Sequence, residues 1–275
     1  AYVNTDSTTW SCCINKEMQN EGEVKFHTLP ADWKNDISIM ENSVEELMNN
    51  NYFKQLRLDM LNGVKNKNCS DCYNLEERTG HSYRQDFNET YDEYFNKVFE
   101  THEDGSIDNF EMIYLDFRFS NLCNFKCRMC GEQLSSTWEA EKYKHNMWTK
   151  ESQPFMQPKV KEKMKKFQVQ VVEPEFKDAI SKGIVEEIYW VGGEPLMYEM
   201  HWWALEEMIN NKSAKNCYLR YNSNLSKIHH KGKHLYDYLP QFKDWLMCAS
   251  IDGTGEIVEF IRKNKKNKLS ADPSK

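Results

Sequence analysis

Residues 112–130 read MIYLDFRFSNLCNFKCRMC, and the reading of this stretch decides how the chain after it is understood. MIYLDFRF, residues 112–119, is short, apolar and aromatic, the composition of a buried strand. Cys123, Cys127 and Cys130 follow it at C-x₃-C-x₂-C spacing. The same arrangement recurs downstream. IVEEIYWV (184–191) reads as a strand and runs into Gly192-Gly193-Glu194-Pro195. CYLRYN (217–222) reads as a strand and runs into Ser223 and Asn224, and WLMCASI (245–251) reads as a strand that ends at Asp252-Gly253. Helices are predicted over 132–148, over 199–210 and through IVEFIRK (257–263). Four strand-then-helix units imply an α/β fold, with a parallel sheet closed into a barrel or doubly wound. In such folds chemistry gathers at the carboxyl ends of strands. All four motif-bearing stretches lie there.

The preceding third has a different pattern. YVNTDSTTWSCC, residues 2–13, reads as strand, turn, strand, with Asn4 to Ser7 supplying the turn. A domain seldom starts inside a hairpin, so residues are expected upstream. Ser43 and Glu46 fit a capping box that opens a helix over 43–62, closed by Gly63. NCSDC then carries Cys69 and Cys72, and 91–100 reads as another short helix. Residues 150–175 hold three prolines and KVKEKMKK, which reads as a solvated helix face.

The chain has 275 residues, 39% hydrophobic and 29% charged, which suits a globular protein with a sizeable core. A formal net charge of −7 gives no basic field for nucleic acid or anionic lipid. No window approaches the roughly 18 apolar residues of a membrane span. AYVNTDSTTW lacks an apolar leader core, so a cytoplasmic protein is expected. Seven of the nine cysteines fall in tight clusters, which points to metal rather than disulfides. Cys217 and Cys248 stand alone beside apolar residues and are expected as buried structural thiols. Structural zinc wants four ligands, and the 123–130 triplet has no local fourth. An iron–sulfur cube on three thiolates leaves one iron open to a ligand.

CNFKCRMC resembles the cysteine signature of the radical S-adenosylmethionine (SAM) enzymes. The resemblance implies a 4Fe–4S cluster on Cys123, Cys127 and Cys130 whose open iron chelates SAM. One electron then cleaves SAM to methionine and a 5′-deoxyadenosyl radical, which abstracts hydrogen from substrate. Gly192, Gly193, Glu194 and Pro195 match the family's GGE motif, which implies that Glu194 accepts from the SAM ammonium. Ser223 and Asn224 resemble the end of its third strand, where Leu225 replaces a glycine. Ser250 and Asp252 resemble the stretch that reaches the ribose, and Arg262 the arginine that pairs with the SAM carboxylate. Met129 stands where an aromatic often precedes the third cysteine, leaving a backbone contact to adenine. The family fold is a partial (β/α) barrel of six units. Four are found here, so a fragment with an open sheet edge is expected, or a second chain that supplies the rest.

STTWSCC, then a helix, then Cys69-x₂-Cys72 and YNLEERTGHSYR resemble the twitch domain, a relative of the SPASM domain. The resemblance implies an auxiliary iron–sulfur cluster on Cys12, Cys69 and Cys72. Its fourth ligand is Cys13 or a residue upstream. A zinc site on the same cysteines is the alternative. The expected domains are 1–100 (twitch), 111–265 (radical SAM core, incomplete) and a polar basic tail, 266–275. Expected partners are SAM, a low-potential electron donor and a substrate. A peptide or protein is the first guess for that substrate, with small molecules open. Cys217 and Cys248 are candidate hydrogen-atom donors. A non-catalytic iron–sulfur or zinc scaffold is the competing reading, since it needs the cysteines but not Glu194, Ser250, Asp252 and Arg262.

Overall fold

The structure is a computed structural model that describes residues 2–3, 9–10 and 43–264. Tyr2–Val3 (β1) and Thr9–Trp10 (β2) are short strands. The turn expected between them, Cys12, Cys13 and the tail 266–275 lie outside the described residues. The chain divides into two units, residues 8–110 with 1–2, and residues 111–275 with 3–7.

In the first unit Ser43 and Glu46 form the capping box. The Ser43 hydroxyl accepts from the Glu46 amide at 3.0 Å, and the Glu46 carboxylate accepts from the Ser43 amide at 2.7 Å. The single helix expected over 43–62 is two, Val44–Met48 (α1) and Asn51–Leu61 (α2). The break has a local cause. Asn49 turns its side chain to the Ile107 backbone, donating at 2.9 Å and accepting at 3.0 Å. Asn50 then caps a new helix by accepting from the Phe53 amide at 3.0 Å. Ser70–Thr79 (α3) begins right after Cys69 and carries the buried Cys72. Gly80 ends it at φ +76°, a left-handed conformation that suits glycine. Tyr83–Thr90 (α4) and a 3₁₀ segment, Asp92–Glu100, follow.

The second unit alternates strand and helix. Tyr114–Phe117 (β3) leads to Phe125–Cys127 (β4), Ser136–Lys144 (α5), Pro158–Phe167 (α6) and Glu173–Lys182 (α7). A π-turn over Gln168–Val172 joins the last two helices. Glu187–Trp190 (β5), Glu199–Asn210 (α8) and Tyr218–Ser223 (β6) come next. A hairpin of His229–His230 (β7) and Lys233–His234 (β8) and a turn of helix, Leu235–Tyr238 (α9), precede Asp244–Ala249 (β9). Gly255–Ile261 (α10) and Arg262–Asn264 (β10) complete the described residues, so the helix expected through Lys263 stops two residues early. No helix of the described residues is long and apolar enough to cross a membrane.

β3, β5, β6 and β9 pair in parallel, in chain order. Alternation along each strand gives the sheet two unlike faces. On one, Leu115, Phe117, Ile188, Trp190, Leu219 and Tyr221 are buried. Phe176 of α7 meets Phe117 at 5.7 Å and Trp190 at 5.9 Å between ring centroids. His201 of α8 shares a 3.0 Å hydrogen bond with the Tyr221 hydroxyl, and burial holds the imidazole neutral by pulling its pKa down to about 3. The other face carries Tyr114, Asp116, Glu187, Tyr189, Arg220 and Asn222, although parallel sheets are ordinarily apolar on both sides. Burial pushes the Asp116 carboxyl up to about 6, and the neighbouring Arg118 only partly offsets this.

Among the described residues β9 has a neighbour on one side only, and most of its residues are exposed. Cys248 is therefore exposed, not the buried thiol expected from its apolar neighbours, whereas Cys217 is fully buried.

Candidate functional site

The cysteine stretch is held by the start of α5. The Ser135 and Thr137 hydroxyls both donate to the Phe125 carbonyl at 2.6 Å, and the Trp138 indole donates to the Cys127 carbonyl at 2.8 Å. β10 pairs antiparallel with β4, setting Arg262 opposite Cys127. The Arg128 amide donates to the Ile261 carbonyl at 2.9 Å. A turn from the Cys130 amide to the Cys127 carbonyl, at 3.0 Å, brings the last thiol back toward the second.

The glycine loop after β5 lies against the backbone that leads into Cys123. A side chain at Gly193 would collide with the Leu122 carbonyl, and the Glu194 amide donates to that carbonyl at 2.8 Å. Gly192 adopts φ +125°, where a β carbon would lie 2.9 Å from the Tyr198 hydroxyl. Both positions require glycine for close approach. Pro195 is buried and starts a 3₁₀ turn that Glu194 caps.

Glu194 is 1% exposed. Its carboxylate accepts from the Ser223 hydroxyl at 2.7 Å, the Asn224 amide at 2.7 Å and the Leu196 amide at 3.2 Å. Burial raises its pKa against these three donors. The Asn224 side chain donates to Asn124 at 3.2 Å and approaches the Cys123 sulfur at 3.9 Å. Leu225, which takes the place of a glycine in the resemblance, holds φ +55° in the left-handed region. The backbone there asks for glycine although the sequence does not supply it.

The Ser250 amide donates to the Ser223 carbonyl at 2.8 Å. Asp252 forms an ion pair with Arg262, whose guanidinium also donates to the Cys127 sulfur at 3.6 Å. Arg262 is thus engaged with protein groups on two sides. Met129 is 59% exposed.

Burial pushes the Cys123 thiol up to about 11. Cys127 and Cys130 interact directly. The Cys127 S–H donates to Cys130, which raises the Cys127 pKa and pulls that of Cys130 down to about 7. In the first unit burial raises the Cys69 pKa, and the neighbouring Cys72 adds to the rise.

The structure therefore gathers Cys123, Glu194, Ser223 and Asn224 into one hydrogen-bonded group. Cys127, Cys130, Arg262 and Asp252 form a second group beside it. Ser250 joins through the backbone alone. Tyr198 and Asn124 belong to the same arrangement and were not singled out by sequence. Neither lies in a recognisable motif, although Asn124 falls inside the cysteine triplet.

Among the described residues no three or more His, Cys, Asp or Glu side chains converge as they would on a single metal ion. An iron–sulfur cube asks for something else, since its thiolates bind separate irons and stand apart. By donor type the set at 123–130 suits such a group, although Cys127 and Cys130 are hydrogen-bonded to each other rather than held apart. It offers three thiols, with Asn224 and Arg262 aimed at two of the sulfurs. No family model matches the chain, and neither a curated protein nor a solved structure matches it.

Proposed function

We propose that the chain is a radical SAM enzyme, with Cys123, Cys127 and Cys130 holding a 4Fe–4S cluster and the loops after the four parallel strands holding SAM. One observation carries this reading. A fully buried carboxylate, Glu194, is linked through Asn224 to the first cysteine of a C-x₃-C-x₂-C loop. Burial makes the ionised form of such a group costly, and a cationic ligand relieves that cost. The SAM ammonium is such a cation, and the carboxylate is already oriented by three donors. When bound, the reduced cluster supplies the electron that splits a carbon–sulfur bond of SAM, releasing methionine and a 5′-deoxyadenosyl radical that takes hydrogen from substrate.

The chain's own groups would orient and shield. Gly192 and Gly193 let the loop lie close to the ligand. Asn224 and Arg262 donate toward sulfur and stabilise negative charge there. Asp252 holds Arg262 in place. The strand order also supports the reading. Parallel strands that follow one another in chain order place every crossover in the same direction, as in a (β/α) barrel wall. A doubly wound sheet reverses its order. Cys12, Cys69 and Cys72 are proposed ligands of an auxiliary cluster whose fourth ligand is Cys13 or a residue upstream, the substrate is taken as a peptide or protein, and the location as cytoplasmic.

One observation favours a non-catalytic scaffold instead. Arg262 is spent on Asp252 and Cys127 rather than facing a ligand. The test is anaerobic reconstitution with iron and sulfide, then electron paramagnetic resonance of the reduced protein with and without SAM. A cluster signal that shifts on adding SAM supports the enzyme. An iron-free protein that takes up zinc supports the scaffold.

A further inference from the structure

Tyr198 joins the two loops that bear the proposed ligands. Its phenolic oxygen accepts from the Gly193 amide at 2.8 Å and donates to the Ser120 carbonyl. Gly193 precedes Glu194, and Ser120 opens the segment that leads into Cys123. The side chain is 4% exposed, with its ring edge-on to Phe119 at 6.4 Å. The phenolic oxygen occupies space that any side chain at 192 would need. Tyr198 therefore does not merely fill the core. It partners one part-buried donor and one part-buried acceptor, each from a different loop, at the point where the loops meet.

The geometry points to Tyr198 as a positioning residue that fixes the Glu194 carboxylate relative to the cysteine loop, and so sets how tightly the ammonium end of SAM is held; this rests on the radical SAM reading. The phenolic oxygen hydrogen-bonds to two backbone groups and takes no part in bond making. Without its oxygen, the Gly193 N–H and the Ser120 C=O lose the partner they share. The loops are then held together mainly by the Glu194 amide on the Leu122 carbonyl and by the packing of Gly193 there. A carboxylate displaced by a fraction of an ångström still folds in place but meets the ligand poorly.

The experiment compares wild type and Tyr198→Phe after anaerobic reconstitution. Resonance spectra are recorded across a SAM titration, with iron content and thermal unfolding measured on the same samples. The expected result is unchanged iron content and an unchanged SAM-free spectrum, with the SAM concentration at half-shift raised about tenfold. A purely structural tyrosine would lower the melting temperature or iron uptake and leave that concentration unmoved, which overturns the assignment. If the phenylalanine variant does not fold, 3,5-difluorotyrosine at 198 keeps the ring while altering both hydrogen bonds, and an unmoved half-shift there overturns it equally. A wild-type protein that takes up no iron overturns the radical SAM reading itself. Iron-loaded wild type and variant with equal SAM dependence overturn only the role of Tyr198.

Discussion

Cys69 and Cys72 sit one helical turn apart at the start of α3, whereas Cys123, Cys127 and Cys130 sit on a loop and a three-residue strand. Around the helical pair the described side chains are few and ordinary. Burial and Cys72 raise the Cys69 pKa against an opposing pull from Arg84, whose guanidinium is committed to Glu76 at 2.7 Å. Around the triplet, α5 ties down the backbone, Asn224 and Arg262 reach toward two sulfurs, and a buried carboxylate waits beside the first. Short thiol spacing marks both places as candidate ligand sets. Among the described residues, the second has a buried carboxylate with a raised pKa and two side chains that reach its sulfurs, and the first has neither. The two therefore deserve different expectations: structure or electron relay at the first, ligand chemistry at the second.

The largest effect should come from removing the thiols themselves. Cys123→Ala/Cys127→Ala/Cys130→Ala should abolish the SAM-responsive resonance signal, while Cys69→Ala/Cys72→Ala should leave that response in place. Loss of the response in a well-folded Cys69/Cys72 variant would erase the distinction between the groups.

Next in size is Glu194→Gln, which keeps the shape but removes the charge. SAM affinity should fall by about 10- to 100-fold, read by equilibrium binding, because a charge-assisted hydrogen bond is lost. Its pH signature has a fixed sign. The folded-state pKa is raised, so the contribution to stability is present below the ordinary glutamate value and is lost as pH rises through the raised one. Wild type should lose stability against denaturant between mildly acidic and neutral pH more than Glu194→Gln does. Equal slopes would mean that the carboxylate is not strained by burial.

A smaller contrast should appear in thiol reactivity. In metal-free protein near neutral pH, iodoacetamide should modify Cys130 several-fold faster than Cys69, since the Cys130 pKa is lowered to about 7 and that of Cys69 is raised. Peptide mass mapping over a time course reads this directly. Faster labelling at Cys69 would contradict a Cys130 thiol made acidic by its hydrogen bond with Cys127.

The smallest effect concerns the backbone. Leu225→Gly should raise stability by about 1 kcal/mol by relieving a left-handed conformation. Glycine's extra freedom in the unfolded chain works against this gain. A loss greater than about 1 kcal/mol in chemical denaturation would mean that the Leu225 side chain contributes more through packing than its backbone costs.

The four parallel strands were legible because each is a compact apolar run followed by turn residues. β4 and β10 were not. Each is three residues long, and Arg262–Asn264 reads as a polar helix end; only the pairing of Arg262 with Cys127 makes it a strand. The lysine run 159–166 read as a solvated helix face and lies in α6, but its buried side, Val160 and Phe167, and the following helix α7, with Phe176 and Ile180 buried, were not legible. The exposure of Cys248 was invisible because composition does not tell an edge strand from a central one. In the candidate site, Glu194, Ser223 and Asn224 were legible through motif order alone. Tyr198 was not, since nothing in a sequence marks a phenol that closes a gap between two backbones.

The pairing of β4 with β10 also bears on how the protein is made. Cys127 and Arg262 are 135 residues apart in the chain. A ribosome adding about 5–20 residues per second needs on the order of ten seconds to cover that distance. During that interval the nascent cysteine loop has neither its partner strand nor the guanidinium that reaches its sulfur. The thiols emerge early and are enclosed late, so loading of any metal group has a natural window while the loop is still open on one side.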